Sequence, residues 1–427
     1  MHLDVVGDTV CAFVTASEMA RTGNQVTHHV TPGAASAVVS GGTLPYAEPG
    51  LQEQIDCQRA EGRLTLRSFD PTSNMHGVIF FSLQPDQRDH AVQLVDQMTC
   101  DADTAPLLVN QSAFAVGTCE MLQSRLRARF PDAVVIALPD VLQEGVALAH
   151  FQRPGHILLG CDSEPAELVM RNLLRPFNRR RDVIQVMSSR EAEFSKLAIS
   201  GMLATRLSFM NDMAGLAEQV NVDIEQVRRG LAADPRIGDA YLYPGCGFGG
   251  PGFSRDVMSL ADTLKGSDLG AELLERVLEI NERQKEVLFR KFWRHFQSDI
   301  AGRCVALWGV SFKPGTNRIQ NAPALALIEA LRAQDVRVQV HDPMALDELR
   351  TWLGDDSHNV AFCDTPEQAC SGADALMLVT EWKQYWSPDW EHIRQVMKTP
   401  LVLDGRNVYD PAFLRSKGFL YQGVGRI

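Results

Sequence analysis

The residues of this chain best placed to do chemistry gather around two glycine-bearing stretches. The denser runs Gly245-Cys246-Gly247-Phe248-Gly249-Gly250-Pro251-Gly252-Phe253-Ser254-Arg255-Asp256. Five glycines in its first eight residues let backbone come within van der Waals distance of a ligand, because no Cβ stands in the way. The other, Gly7-Asp8-Thr9-Val10-Cys11-Ala12, follows an apolar strand pattern and opens a helical one. A G-x-G-x-x-G dinucleotide turn belongs at such a place, and only its first glycine is present. Thr9 sets a branched side chain in the path of a diphosphate, and Ala12 sets a methyl group where the helix packs on the strand. The end of the next strand, where an acid would hold ribose hydroxyls, falls at Val30 after His28 and His29. Valine accepts no hydrogen bond.

The elements that must position these stretches are legible in the apolar runs. Short strand-like runs at 3–6, 26–30, 77–83, 106–109, 133–138 and 157–159 alternate with helical patterns, which predicts βαβ units and a parallel sheet. Strand signals then vanish, and 192–222 reads as one long helix with Phe194, Leu197, Ala198, Leu203, Leu207 and Met210 as its apolar positions. A second α/β unit starts at 303–309 and continues through 336–340, 375–379 and 401–403, with His341-Asp342 at the strand ends where such folds meet ligands. The expected fold class is therefore α/β: two Rossmann-like parallel-sheet domains, 1–188 and 286–427, joined by a long central helix in a helical dimerisation region, 189–285.

At 427 residues the chain exceeds one ordinary core. A formal charge of −12 argues against broad nucleic-acid or anionic-membrane binding and toward small-molecule or protein partners. Met1 runs straight into a strand pattern without a signal-peptide n- and h-region, and no apolar run is long enough to cross a bilayer. Nine cysteines without CxxC spacing suit a reducing cytoplasm better than a disulfide framework or a zinc site. The expectation is a cytoplasmic protein with no bound metal.

Ordered blocks along almost the whole chain resemble the UDP-glucose/GDP-mannose dehydrogenase family, the nucleotide-sugar dehydrogenases. They are 193–198 with 207–212, Asp234-Pro235-Arg236-Ile237-Gly238, the glycine loop, Phe312-Lys313-Pro314-Gly315-Thr316, His341-Asp342-Pro343, Thr380-Glu381-Trp382, Asp404-Gly405-Arg406-Asn407 and Gly423-Val424-Gly425-Arg426. The resemblance implies NAD-dependent oxidation of the C6 alcohol of a nucleotide sugar to a carboxylate, through a thiohemiacetal and a thioester on a cysteine. It implies Lys196 beside the reacting oxygen and Asp256 positioning water and lysine. Asp140 and Glu144 match a P-E-F-L-x-E-G block whose first glutamate is a general acid/base. For the cofactor it implies Gly7, Thr9, Ala12, Val30 and Thr118, the last ending the nicotinamide-side turn 112–118. For the substrate it implies Ser200, Arg236 reaching across a dimer, Phe248, Gly249, Gly250, Phe312, Lys313 and Arg406.

The departures from the pattern decide the expectation. The family loop reads G-F-G-G-S-C-F-P-K-D, and Pro251-Gly252 stand at its Ser-Cys, so the nucleophile position carries hydrogen. Cys246 lies six residues earlier, ~20 Å away in a stretched chain, and is expected to be unreactive. Asp140 is one methylene short of glutamate, and Gln320 replaces an arginine of the phosphate-facing block. With the changes at Thr9, Ala12 and Val30, binding of NAD, the family cofactor, is in doubt. Three readings stay open: a nucleotide-sugar-binding regulator or scaffold in polysaccharide precursor metabolism, as homodimer or with a hetero-partner dehydrogenase; an active UDP-glucose 6-dehydrogenase; and a single-hydride enzyme stopping at the aldehyde.

Overall fold

Short strands, apolar and buried on both faces in the interior of each sheet, build one sheet that is parallel but for a single pair and a second that is parallel throughout. The computed structural model describes residues 1–70, 72–100, 105–179, 181–266 and 270–426. They divide into two units, Met1–Ile199 and Ser200–Ile427.

The first unit carries β1 (His2–Val6), β2 (Gln25–Val30), β3 (Leu64–Ser68), β4 (Asn74–Met75), β5 (Val78–Phe81), β6 (Thr99–Cys100), β7 (Leu107–Asn110), β8 (Val134–Ala137), β9 (Ile157–Gly160) and β10 (Ile184–Met187). Eight of them form one sheet, ordered β10-β9-β8-β7-β5-β1-β2-β3, and β4 pairs with β6 apart from it. All neighbours in the large sheet are parallel except β8 and β9. Along β1, Leu3 and Val5 pack with Phe13 and Met19 of α1 (Val10–Arg21) and Ile55 of α2 (Leu51–Ala60). Val6 packs on the other face with Leu94 of α3 (Arg88–Gln97) and Leu122 of α4 (Thr118–Arg127). Burial on both faces is why the strands read as continuous apolar runs. α5 (Ala147–Gln152) and α6 (Glu164–Leu174) complete the unit. Strand order reverses direction between β1 and β5, so the crevice at their C-terminal ends is where this architecture receives ligands.

The long helix α7 spans Ser189–Gln219, three residues earlier at each end than the 192–222 expected from apolar spacing. A capping box sets its start: Glu191 Oε2 accepts from the Ser188 amide at 2.8 Å, and the Glu191 amide donates to Ser188 Oγ at 3.2 Å. The buried side is also narrower than expected. Leu197 and Met210 are buried with Ala192 and Ala204, whereas Phe194 is 52% exposed.

The second unit continues through α8 (Ile224–Ala233), α9 (Pro251–Lys265), α10 (Glu272–Lys285) and α11 (Val287–His295). Its sheet then forms from β11 (Cys304–Trp308), β12 (Arg337–His341), β13 (Val360–Phe362), β14 (Ala375–Leu378), β15 (Leu401–Asp404) and β16 (Leu420–Gly423), with α12 (Pro323–Arg332) between β11 and β12. The order is β13-β12-β11-β14-β15-β16, parallel throughout. Val305 and Leu307 pack with Phe292 and Leu327, and Trp308 packs on the opposite face with Tyr385. The sequence reading missed β3, β10, β13 and β16, along with the short β4–β6 pair. The first four are the edges of the two sheets.

Candidate functional site

The glycine loop of the second unit is held by side-chain amides. Asn211 Oδ1 accepts from the Gly245 amide at 2.9 Å, and Gln284 Nε2 donates to the Gly245 carbonyl at 2.7 Å. Asn281 takes both backbone groups of Phe248, accepting from its amide at 2.8 Å and donating to its carbonyl at 3.1 Å. Asn211 and Asn281 are buried, so these bonds do not compete with water. Gly250 donates to the Gln320 carbonyl at 2.9 Å and has φ of +96°, with the Phe312 ring 2.7 Å from where a Cβ would sit. Phe248 meets Phe253 edge to face at 5.1 Å. Gly249 lies against the backbone of Asn321 and Ala322, leaving no room for a side chain.

α9 opens directly after this loop. Gly252 is its second residue, and a Cβ built there meets nothing within 4 Å. One turn on, the buried Asp256 carboxylate accepts from Ser200 Oγ at 2.9 Å. Ser200, expected at the substrate, is thus engaged with Asp256. Ser254 Oγ accepts from Asn321 Nδ2 at 2.9 Å, and Asn321 Oδ1 accepts from the buried Lys285 Nζ at 2.5 Å, tying α9 to α10 and to the segment before α12.

Arg406, expected to face a nucleotide, turns its guanidinium under the loop. Nε donates to the Val379 carbonyl at 2.7 Å and lies 3.2 Å from Glu381, and Nη1 reaches the Gly247 carbonyl at 3.4 Å. Lys313 Nζ sits 5.6 Å from the centroid of the Phe312 ring. Arg236 pairs with Asp234 on a surface loop, its side chain 87% exposed. Cys246 is buried with Sγ 3.6 Å from the Val379 carbonyl, and burial pushes its thiol up, as an unreactive cysteine requires. At the ends of β11 and β12, Asp342 accepts from the amides of Val310, Ser311, Met344 and Ala345 and pins the first βα turn of this unit.

In the first unit, Gly7 has φ of +144° and lies against the Ser82 carbonyl, which excludes any side chain. Thr9 is the N-cap of α1: its Oγ1 accepts from the Ala12 amide at 3.1 Å and lies 2.7 Å from Ser82 Oγ. The side chain expected to stand in the path of a phosphate is drawn into the first turn of the helix. There it takes an amide that a phosphate would use. The Asp8 carboxylate lies against Gly33, and Tyr46 donates to the Asp8 carbonyl at 2.5 Å. Ala12 and Val30 are buried in the α1-side core.

On the other face, Lys196 lines a shallow recess with Asn110, Ser112, Phe114, Pro139 and Glu193. Glu193 is buried and accepts from the Gly117 and Cys119 amides at 2.6 and 2.8 Å, capping α4, while Thr118 Oγ1 donates to the Ala115 carbonyl at 2.6 Å. Asp140 follows β8 and accepts from the Leu142 amide at 2.7 Å. Just beyond Glu144, the Gly145 and Ala147 amides both go to Glu48. No cluster of metal-ligating side chains occurs among the described residues, and no described helix is long and apolar enough to cross a membrane.

Three consecutive matches cover these features. Residues 1–178 match the NAD binding domain of the UDP-glucose/GDP-mannose dehydrogenase family, 190–283 its central domain and 306–411 its UDP binding domain. The chain belongs to this family. It is 39% identical to UDP-glucose 6-dehydrogenase of Pseudomonas aeruginosa over 443 aligned positions, covering 100% of this chain and 98% of that one. It is 30% identical to UDP-glucose 6-dehydrogenase of Rhizobium meliloti, over 90% of each. The UDP-glucose dehydrogenase of Pyrobaculum islandicum shares the fold, with a TM-score of 0.85 at 24% identity over 100% of this chain and 98% of that one.

Within the family's domains, the glycine loop and Asp256 fall in the central domain, Lys313 and Arg406 in the UDP binding domain, and Gly7 to Ala12 in the NAD binding domain. The sequence reading gave no role to the clamps Asn211, Asn281 and Gln284, nor to the caps Glu48 and Glu193. Single amides and acids carry no local signature, and their partners lie 33 to 99 residues away.

Proposed function

We propose that this chain binds a UDP-glucose-like nucleotide sugar and does not carry it through the two oxidations of its family, serving a regulatory or scaffold role in polysaccharide precursor metabolism. The observation that carries this reading is Gly252. Open space surrounds its missing Cβ, so a thiol would fit, and its hydrogen can form no acyl-enzyme. The loop around it is nonetheless held at both ends by buried amides, which supports retention of a ligand-shaped backbone.

The residues around Gly7 do not fit a dinucleotide diphosphate. Thr9 occupies the Ala12 amide, Asp8 adds a carboxylate to the turn, and Val30 is core. Each lost or repelled contact weakens binding on the order of 1 kcal/mol or more. Lys196 keeps its recess and Asp256 keeps a hydroxyl partner, as structural remnants of the catalytic set.

Met202, Phe209 and Leu216, seven residues apart on α7, are 63%, 50% and 50% exposed. A stripe at heptad spacing fits a second helix, which supports a homodimer, or a hetero-dimer with a related dehydrogenase, in the cytoplasm.

Titration calorimetry with UDP-glucose and with NAD⁺, alongside NADH absorbance, tests the reading. UDP-glucose should bind and stabilise the fold, by about 2.7 kcal/mol at a hundredfold excess over Kd. NAD⁺ should give no heat at millimolar concentration and no NADH should form. Two NADH released per sugar would sink the proposal and favour the active-enzyme reading that the 39% identity invites. Gly252→Cys should stay inactive for want of cofactor. Phe209→Glu should convert a dimer to a monomer in light scattering.

A further inference from the structure

Three polar side chains stand on one buried face of α10: Asn281, Gln284 and Lys285, at positions i, i+3 and i+4. The first two are neutral clamps of the glycine loop. The third carries charge. Its side chain is only 4% exposed, and its stem lies 3.3 Å from where a Cβ on Gly247 would sit. Its ammonium donates to Asn321 Oδ1 at 2.5 Å and pairs with Glu282 at 2.8 Å. Asn321 has φ of +56°, donates to Ser254 Oγ in the first turn of α9 and sets its carbonyl against Gly249. Lys285 thus braces, through one residue, both the backbone of the loop and the start of the helix that follows it.

Geometry alone does not call for a cation at this place. Taking an ammonium out of water is costly unless its charge is closely compensated or used. The compensation is lopsided: Glu282, the acid that Lys285 meets, is 62% exposed, so water screens the acid more than the buried cation. The C-terminal end of α10 does not account for the burial either. An exposed cation such as Arg283, two residues earlier, complements a helix end without leaving water. On the Gly247 carbonyl, Arg406 is offset by Glu381. Beneath Gly247, then, the charge that water does not screen is that of Lys285.

We propose that Lys285 makes this loop selective for a diphosphate. It positions Asn321 and the Gly249 backbone and lends the loop a buried positive charge, so that an anionic nucleotide is held in preference to the neutral nucleoside of the same base. The inference rests on the nucleotide-sugar reading and assigns within it the source of charge selectivity. Lys285 is a positioning residue, acting through Asn321 and the loop backbone without touching the ligand. Across one layer of backbone, on the order of 10 Å, one charge acting on another at an effective dielectric of ~20 changes affinity about tenfold.

Titration calorimetry on the full chain with UDP, and with uridine read by its displacement of UDP, tests it. Lys285→Met should weaken UDP about tenfold and uridine by less than about twofold. Lys285→Arg, which keeps the charge, should hold UDP within about threefold of the parent. Glu282→Gln removes the screened counter-charge and should strengthen UDP about twofold while leaving uridine unchanged. Should Lys285→Met not fold, Glu282→Gln decides alone, and UDP affinity unchanged or lowered by it would overturn the proposal. UDP and uridine weakened by the same factor in Lys285→Met would show a brace without charge selectivity and overturn it too, as would UDP affinity unmoved by that variant. A parent that binds neither UDP nor uridine would overturn the nucleotide-sugar reading and this inference with it.

Discussion

Alanine at 249 and alanine at 252, three residues apart in one loop, should move stability in opposite directions. Gly252 sits in the first turn of α9 with nothing within 4 Å of the added methyl. Replacing a helical glycine by alanine gains up to about 1 kcal/mol in a helix interior, and roughly half that this close to the end. At Gly249 the methyl would land on the Asn321 carbonyl oxygen, with the carbonyl carbon at 2.8 Å and Ala322 Cα at 2.9 Å. Carbon contacts are comfortable only beyond about 3.5 Å, so backbone must yield by about 1 Å. That segment is tied at three points, by the Gly250 amide donating to the Gln320 carbonyl and by the Asn321 side chain, which donates to Ser254 Oγ and accepts from Lys285 Nζ. Overpacking of about 1–3 kcal/mol plus one strained hydrogen bond of about 1 kcal/mol gives a loss of about 2–4 kcal/mol. Equilibrium urea unfolding followed by circular dichroism, with midpoints and slopes fitted separately, should separate the two variants by about 3 kcal/mol. UDP-glucose affinity should fall for Gly249→Ala alone. A Gly249→Ala protein within about 0.5 kcal/mol of the parent would refute the claim that this loop is rigidly held.

Three further outcomes are expected. Glu193→Ala strands the half-buried Gly117 amide and the buried Cys119 amide at the start of α4 and should cost about 2–4 kcal/mol, whereas Glu193→Gln keeps one acceptor and should cost about half as much in the same urea titration. His28 is pushed down to about 4, chiefly by burial, with Nε2 2.9 Å from the Gly7 carbonyl. Because the unfolded chain takes up that proton near pH 6.5, stability should be intact above this value and fall as pH drops toward 4, by about 3 kcal/mol in all. Urea midpoints between pH 4.5 and 7 should show the slope, and His28→Leu should flatten it. Asn281→Asp keeps the acceptor for Phe248 but loses the donor to its carbonyl and adds charge beneath the loop. It should weaken UDP-glucose at least tenfold by calorimetry, and an unchanged affinity would show that Asn281 does not shape the ligand surface.

The sequence made the interior of each sheet legible and hid the margins. Val78–Phe81 and Val305–Leu307 are apolar without a break because helices cover both faces. Thr65 and Arg67 of β3 and Gln185 of β10 are exposed at sheet edges and break the apolar pattern, and β13 is only three residues long, so the edge strands carry a weaker signal. The start of α7 was legible in principle, since Ser188-Ser189-Arg190-Glu191 is a capping-box pattern, but apolar spacing pulled the expected boundary inward. At the candidate site the glycines announced close backbone approach. What fixes the loop was not announced, because Asn281 reaches back 33 residues and Gln284 reaches back 39. Thr9 shows the limit most clearly. Its type could be read as an obstacle, but only geometry reveals it as a cap that satisfies the helix from within.

The glycine loop is held differently from the helix starts of the first unit. In the first, internal side-chain oxygens satisfy the amides at helix starts: Thr9 at α1, Glu193 at α4 and Glu48 at α5, two of the three as buried carboxylates. A carboxylate in such a place both consumes donors and repels a second anion, so an anionic ligand finds neither amide nor favourable field there. The glycine loop of the second unit is held instead by Asn211, Asn281 and Gln284, which fix geometry without adding charge. On the proposed reading, neutral clamps keep what an anionic sugar nucleotide needs from a backbone surface although position 252 carries a glycine. That contrast is why the proposed loss of function falls on the cofactor and the nucleophile while the proposed binding stays with the loop.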